Sequence, residues 1–353
     1  MVPSVGMVLS GVQSRSITEN RMLAPPPGWP HSPAQWRAMP RAVDAYLADH
    51  FAFRRLLTTA ADRLHWQLGG QITGGTVVRG REGRLFLRDN LLDVTGGVVN
   101  LKAVADYSGF VSDMNARLAA RSIPMVFSMA PSPAAIYAEA LPDWVPRGEP
   151  SAYDLILART RTCGVKTVDL RPPLLAAKPS GSIYYHRDTH WTPKGAWIAY
   201  NALTTALGRP DWRIPHDRLA WLRTPEQSQD LARLAGVTDL GDEMMDAPAL
   251  AKRTESLNAK PIDGIEDHGP RAGFIDETGR PGPTVLFIGD SYSADFMPPY
   301  FANSVGRFAW IHQQWCGFDW RVFDAVKPDL VIVMPVDRWA SCNKGNRPDN
   351  MGR

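Results

Sequence analysis

Two uninterrupted apolar runs, Thr284 to Ile288 (TVLFI) and Leu330 to Met334 (LVIVM), constrain this chain more than any other feature. Each is bounded by breakers and too short for a buried helix. Such runs are characteristic of central strands covered on both faces in a parallel sheet. Shorter strand-like pieces and helical periodicities alternate around them. Val104, Tyr107, Val111, Met114 and Leu118 recur at helical spacing, and Met125 to Met129 follows Pro124 as a strand. Leu155 to Thr162 reads as a helix, Val165 to Leu170 as a strand, and Val305 to Ile311 as another. Thr192 is placed to cap a helix with Pro193 in its first position, Ala196, Tyr200, Leu203 and Leu207 on its buried stripe, and Gly208 at its end. This alternation predicts an open α/β sandwich, with helices on both sides of a mostly parallel sheet.

The flanks are less regular. Residues 1–37 are proline-rich (Pro25, Pro26, Pro27, Pro30, Pro33) and read as an extended tether, with one main domain over 38–353. A helical stripe over Val43, Tyr46, Leu47, Phe51, Leu56, Leu57 and Leu64 follows the tether, and Gly80 to Leu87 reads as a turn and a strand. Residues 209–281 are more polar and are expected to form an irregular insertion with one helix near Asp230 to Leu234. The stretch from Met1 to Ser14 is too short and too often broken to span a bilayer, and it lacks the basic start of a signal peptide.

A net charge of +3 gives no basic surface of the kind that nucleic acid requires. The three cysteines are too few for a disulfide scaffold and form no zinc pattern. Cys163 is expected to pack as a small apolar residue. Cys316 and Cys342 would pair only in an oxidising compartment, and the expectation is that they do not.

Chemistry concentrates in two segments. In the first, the strand Val285-Leu-Phe-Ile288 runs into Gly289-Asp-Ser-Tyr-Ser293, placing Ser291 where open α/β sheets bind ligands. If a helical turn follows, the backbone N–H groups of Ser291 and Tyr292 can face a developing oxyanion. Alone, the motif is weak and reads better as an ordinary strand-to-helix turn in which Ser291 caps the helix. The second segment, Tyr184-Tyr-His-Arg-Asp-Thr-His-Trp-Thr-Pro193, brings an acid, an imidazole and a helix start together. A serine hydroxyl needs a base to remove its proton, and the base needs an orienting acid, roles open to His190 and Asp188. A metal set of His186, Asp188 and His190 competes for the same stretch. Arg187 and Pro193 weigh against it, so no metal and no cofactor is expected.

Together these segments resemble the SGNH hydrolase-like acetyltransferases of the AlgX/AlgJ type, which act in alginate O-acetylation in bacterial envelopes. Supporting blocks are Glu19-Asn-Arg-Met-Leu-Ala24, Asp49-His-Phe-Ala-Phe-Arg54, Gly80-Arg-Glu-Gly-Arg-Leu-Phe-Leu87 and Val165-Lys-Thr-Val-Asp-Leu-Arg171. The most specific is Asp188-Thr-His-Trp-Thr-Pro-Lys-Gly-Ala196, with Gly289-Asp-Ser-Tyr292 downstream and Lys327-Pro-Asp-Leu-Val-Ile332 and Asp337-Arg338 closing the pattern. The order Asp, His, Ser is permuted relative to ordinary SGNH esterases and characteristic of this group. Departures are Asp337 for the usual Glu, Arg84 for a Trp, and no recognisable second oxyanion donor. Too few residues follow Ser291 for the carbohydrate-binding module of AlgX-like members, which points to the single-domain AlgJ type.

The resemblance implies a three-layer SGNH-like fold and a polysaccharide O-acetyltransferase in which Ser291 is the nucleophile, His190 the base and Asp188 its orienting acid. It also implies a polysaccharide acceptor, a membrane-bound O-acyltransferase as acetyl source and other exopolysaccharide assembly proteins as partners. The location would be periplasmic, with an inner-membrane anchor absent or truncated here. Arg338, Trp191 and Tyr185 are candidate substrate contacts, with Tyr184 and Trp339 beside them, although core packing accounts better for the four aromatic residues, and an ion pair from Arg338 to Asp337 or another acid accounts equally for the arginine. A carbohydrate acetyl-esterase using water as acceptor, and a non-catalytic exopolysaccharide assembly protein, are the alternatives.

Overall fold

The computed structural model describes residues 15–16, 21–50, 64, 77–88, 91–225, 229–237, 241–249, 259–265 and 271–342. They fall into two units. The smaller comprises Met1–Arg79, Leu85–Arg88 and Ser228–Gly241, and the larger comprises Gly80–Arg84, Asp89–Gln227 and Asp242–Arg353.

In the smaller unit, helix α1 (Pro33–His50) starts within the stretch expected to be an extended tether. The local sequence explains the early start. Ser32 Oγ accepts from Gln35 N–H, the Gln35 side chain accepts from His31 N–H, and Pro33 needs no partner in the first turn. Strands β1 (Val77–Arg79) and β2 (Leu85–Leu87) pair antiparallel. Val77 and Leu85 share an apolar cluster with Leu231, Ala232, Ala235 and Val237, which follow from the helix Asp230–Leu234 that the sequence predicts. Phe51, Leu56, Leu57 and residues 51–54 of the Asp49–Arg54 block lie outside the described residues, as do Met1 to Ser14, Glu19 and Asn20.

The larger unit is built on strands β3 (Met125–Met129), β4 (Lys166–Asp169), β5 (Trp221–Pro225), β6 (Met244–Pro248), β7 (Lys260–Pro261), β8 (Phe274–Glu277), β9 (Thr284–Gly289), β10 (Arg307–His312) and β11 (Leu330–Met334). Seven of them form one sheet in the order β4-β3-β11-β9-β10-β8-β7. The first five are mutually parallel, while β8 and β7 add antiparallel at one edge. Both continuous apolar runs are thus central strands, β9 and β11. Within 209–281 the described residues include more strand than expected, supplying the β5–β6 pair and the edge strands β7 and β8.

Helices cover both faces. Val285 and Phe287 of β9 join one core with Tyr200 and Leu203 of the helix Pro193–Ala206, while Leu286 and Ile288 join the other with Val104, Tyr107, Val111 and Met114 of the helix Leu101–Ala119 and Ile156 and Leu157 of the helix Ala152–Thr162. This alternation is the period of two of an extended chain with both faces buried. Each such side chain contributes about 1.5–3 kcal/mol of burial. The helix Ala152–Thr162 ends one residue before Cys163, so that thiol lies beyond the buried stripe and is exposed, contrary to expectation. Cys316 and Cys342, expected to remain apart, are disulfide-bonded with Cα atoms 5.2 Å apart. The turn after β10 and the segment after β11 bring them together, a proximity that sequence spacing does not encode.

The chain leaves β9 and reaches β10 through Pro298–Phe301, which packs in one core, then crosses back to β11 through Val322–Val326, which packs in the other. Connections therefore diverge to opposite faces beside the carboxyl end of β9, the place where open α/β sheets form a ligand crevice. Ser291 follows β9 there.

Candidate active site

Gly289 and Asp290 together place Ser291. Gly289 closes β9 where an added Cβ would lie 2.1 Å from Ser293 Oγ and 2.9 Å from the Met334 carbonyl, so only glycine fits. Asp290 is fully buried and caps the short helix Ser291–Ala294. Its Oδ1 accepts from Tyr292 N–H at 3.0 Å and its Oδ2 from Val336 N–H at 2.6 Å, tying the Ser291 turn to the segment after β11. Burial raises the Asp290 pKa, against the pull of these donors and the Arg338 charge. The first cap bond corrects a sequence expectation, since the Tyr292 N–H is engaged by Asp290 rather than left for an oxyanion. Among the described residues no acceptor meets the Ser291 N–H.

The segment 184–191 is a loop of bends rather than an extended strand. Tyr184 and Trp191 close it as an isolated bridge, Tyr185 N–H donates to the His190 carbonyl at 3.3 Å, and Thr192 N–H donates to Ile183 O at 3.0 Å. Thr192 Oγ1 caps the following helix by accepting from Gly195 N–H, as predicted. Gly195 is obligatory, because a Cβ there would sit 2.1 Å from the Ile183 carbonyl. Within the loop, Asp188 and His190 meet through a local turn. Asp188 Oδ1 accepts from His190 N–H at 2.9 Å and lies 2.6 Å from His190 Nδ1.

His190 Nε2 is 2.7 Å from Ser291 Oγ, across 101 positions of sequence. The Asp188 side chain is 0% exposed and that of His190 16%. An ionised Asp188 holds the proton on Nδ1, which leaves the Nε2 lone pair for the serine hydroxyl. The two segments are bolted together by groups whose role the sequence does not disclose. Tyr292 donates its hydroxyl to the Thr189 carbonyl, and Trp191 Nε1 donates to Tyr292 O at 3.2 Å. The Tyr292 ring also packs 4.9 Å from His190 and 5.2 Å from Trp191. Burial raises the Tyr292 pKa, so its hydroxyl stays a proton donor.

The other candidates behave differently. Trp191 is 0% exposed and Tyr185 9% exposed, while Tyr184 is fully buried with its hydroxyl on the Pro131 carbonyl. Trp191 therefore packs the site together and offers no face to a sugar. Arg338 is 9% exposed, with Nη1 3.4 Å from the Tyr292 hydroxyl. Asp337 accepts instead from the backbone N–H groups of Ser132 and Arg338, and its burial lifts its pKa to about 6. His186 does not join Asp188 and His190. Its Nδ1 lies 2.8 Å from Glu243 Oε1 and its backbone N–H donates to Glu243 Oε2 at 3.1 Å. Glu243 escaped the sequence reading because it belongs to the polar insertion and carries no motif. Asp290 had a visible signal, an Asp one position before a helix start.

Around the same crevice, His312 at the end of β10 is buried, accepts from Gln314 N–H at 2.9 Å through Nδ1, and packs near Trp315 and Trp339. Burial lowers its pKa to about 4, so it is neutral at pH 7.

Comparison with known proteins agrees with this architecture. Residues 77–307 match the family model "SGNH hydrolase-like domain, acetyltransferase AlgX". The protein described as "Probable alginate O-acetylase AlgJ" from Pseudomonas aeruginosa is 24% identical over 262 residues, and its counterpart from Pseudomonas putida 28% identical over 261. Each match covers 72% of this chain and 64% of the relative, so the chain spans under two thirds of their length. Among solved structures, Bacillus cereus PatB1 superposes with a TM-score of 0.55 at 12% identity, covering 76% of this chain and 98% of that one. The O-acetyltransferase domain of Pseudomonas putida AlgJ gives 0.50 at 20% identity, covering 78% and 96%. At these identities the structures speak for the fold. The family model spans more than half of the sequence and includes the Asp188–His190 loop and Ser291, and the chain belongs to the SGNH hydrolase-like acetyltransferase family of AlgX.

Proposed function

We propose that this protein is an O-acetyltransferase that moves acetyl groups through an acetyl-serine onto hydroxyls of a bacterial exopolysaccharide. The observation that carries the reading is the continuous chain Asp188–His190–Ser291, with links of 2.6 and 2.7 Å at the carboxyl end of β9. Names of the relatives point to alginate-type polymers.

In the first half-reaction Ser291 Oγ attacks the acetyl carbonyl as His190 Nε2 takes the hydroxyl proton. The Asp188 carboxylate stabilises the imidazolium that results. Ser291 N–H faces the tetrahedral oxyanion as one donor. Collapse expels the donor's leaving group, which takes the proton from His190 and leaves acetyl-serine. In the second half-reaction a sugar hydroxyl gives its proton to His190 and attacks the acetyl carbon. Ser291 Oγ then departs and recovers the proton. Acids and bases balance within the triad, and no cofactor enters. An envelope location, a membrane-bound O-acyltransferase as acetyl source and assembly partners belong to the same proposal. Among the described residues no helix is long and apolar enough to cross a membrane.

The deciding experiment supplies an activated acetyl ester together with an alginate-type oligosaccharide and follows both products by mass spectrometry. Acetylated oligosaccharide, lost in Ser291→Ala, is the expected result. Free acetate with no acetylated sugar would make the protein an esterase, and absence of Ser291 labelling by a fluorophosphonate would make it non-catalytic.

A further inference from the structure

The loop that carries His190 is held on one wall by Tyr292 and Trp191, both adjacent to the triad. It is also held by two residues remote in sequence, Arg84 in the Gly80–Leu87 block and Glu243 in the polar insertion. Arg84 Nη1 donates to the Tyr185 carbonyl at 2.9 Å, and Tyr185 N–H in turn donates to the His190 carbonyl. Tyr185 therefore links a guanidinium, through its carbonyl, to the backbone of the base, through its N–H. At the next residue, Glu243 grips His186 twice, through its backbone N–H at 3.1 Å and its Nδ1 at 2.8 Å.

Both grips are built rather than incidental. Arg84 is buried, with its guanidinium 3.7 Å above the Tyr137 ring, and the Tyr137 ring stands edge-on to Tyr184 at the start of the loop. Burial alone lowers the Arg84 pKa, yet the side chain is directed inward at a carbonyl instead of outward to water. Burial acts on Glu243 in the raising direction, and the His186 hydrogen bonds reverse it, so the carboxylate is held below its usual range. A bend-rich loop has no ladder of its own to fix it, so its conformation is set by whatever side chains grasp its peptides. The distance from Nε2 to Oγ is the quantity at stake.

We infer that Arg84 and Glu243 are positioning residues for the proposed acyl-transfer reaction, clamping residues 185–186 so that His190 stays within bonding reach of Ser291. This rests on the triad reading above. A displacement of about 1 Å between base and nucleophile costs on the order of a hundredfold in rate.

The test uses the purified chain with Arg84→Met, which keeps bulk and removes the donor, with Glu243→Ala, and with Glu243→Gln, whose amide can still accept from His186 N–H. Rates of Ser291 labelling by a fluorophosphonate, kcat and KM for an aryl acetate, and the downfield proton resonance of His190 Nδ1–H are read together. Arg84→Met and Glu243→Ala should each slow labelling and lower kcat by about tenfold or more with KM within about twofold, and weaken the resonance. Glu243→Gln should restore most of the rate. Folded variants that label at the wild-type rate and keep the resonance would overturn the clamp.

Should the variants fail to fold, amide hydrogen exchange on the wild type decides. Protected Tyr185 and His186 amides support the clamp, and exchange as fast as free loop refutes it. A wild type that never labels would sink the triad reading instead, while exchange would still report on the clamp.

Discussion

In the proposed mechanism His190 can act as a base only while its Nδ1 proton stays toward Asp188, because that tautomer alone presents a lone pair to Ser291. Asp188→Asn offers an amide that can donate to Nδ1 and reverse the tautomer. The expected outcome is a loss of about 10³–10⁴ in kcat/KM for an acetyl ester, with the fold intact by circular dichroism. His312 makes a prediction about stability. Its folded pKa of about 4 lies below the ordinary 6.5, so the native state favours the neutral ring. That contribution is fully present above pH 6.5 and is lost as pH falls toward 4, up to about 3 kcal/mol for such a shift. Asp337 acts in the opposite sense, because its raised pKa makes stability fall as pH rises from about 4 to 6. Denaturant titrations of wild type and His312→Phe at pH 7 and pH 4.5 separate the two. The variant is less stable at both values, since Gln314 N–H loses its acceptor, but the drop between them shrinks.

Among the described elements, the turn after β10 gathers three strained residues in succession. Gln314, Trp315 and Cys316 all have positive φ, at 46°, 49° and 73°, a conformation that non-glycine residues seldom adopt. The Cys316–Cys342 disulfide, spanning 26 positions, fastens this turn to the segment after β11. In the chain-entropy model such a link contributes about 3–4 kcal/mol. Cys316→Ala with Cys342→Ala should therefore lower Tm markedly in a thermal melt, and added reductant should not lower the double variant further. Gly195→Ala should cost about 1–3 kcal/mol and slow Ser291 labelling, because the helix carrying it must back away from Ile183 at the foot of the His190 loop. The sequence announced strands and helices where periodicity is local, as in β9, β11 and the Thr192-capped helix. Ser291, His190 and Asp188 were legible as candidates because their neighbours, Gly289 and the Trp-Thr-Pro stretch, have steric reasons to be what they are. The disulfide, the Asp290 cap on Tyr292 N–H, and the grips of Arg84 and Glu243 were not legible, since each depends on segments meeting across many positions.

Across the larger unit, β11 lies between β3 on one side and β9 on the other, so the last strand among the described residues sits in the middle of the sheet. Val331 to Val333 pair with Met125 to Phe127, while the same strand pairs with β9 from Val285 to Gly289. A chain ending before Leu330 would leave two apolar strand edges facing each other. It should show no cooperative melt by calorimetry and bind a dye for exposed apolar surface. Asp290 adds a second dependence on this strand, since its Oδ2 is met by the Val336 N–H that β11 delivers. During synthesis, the polypeptide up to residue 320 already contains the acid, the imidazole and the hydroxyl, yet it lacks the strand that pairs with both halves of the sheet behind them. On the proposed mechanism, acyl transfer would then be withheld from every partly made copy and would begin only when the keystone slides home.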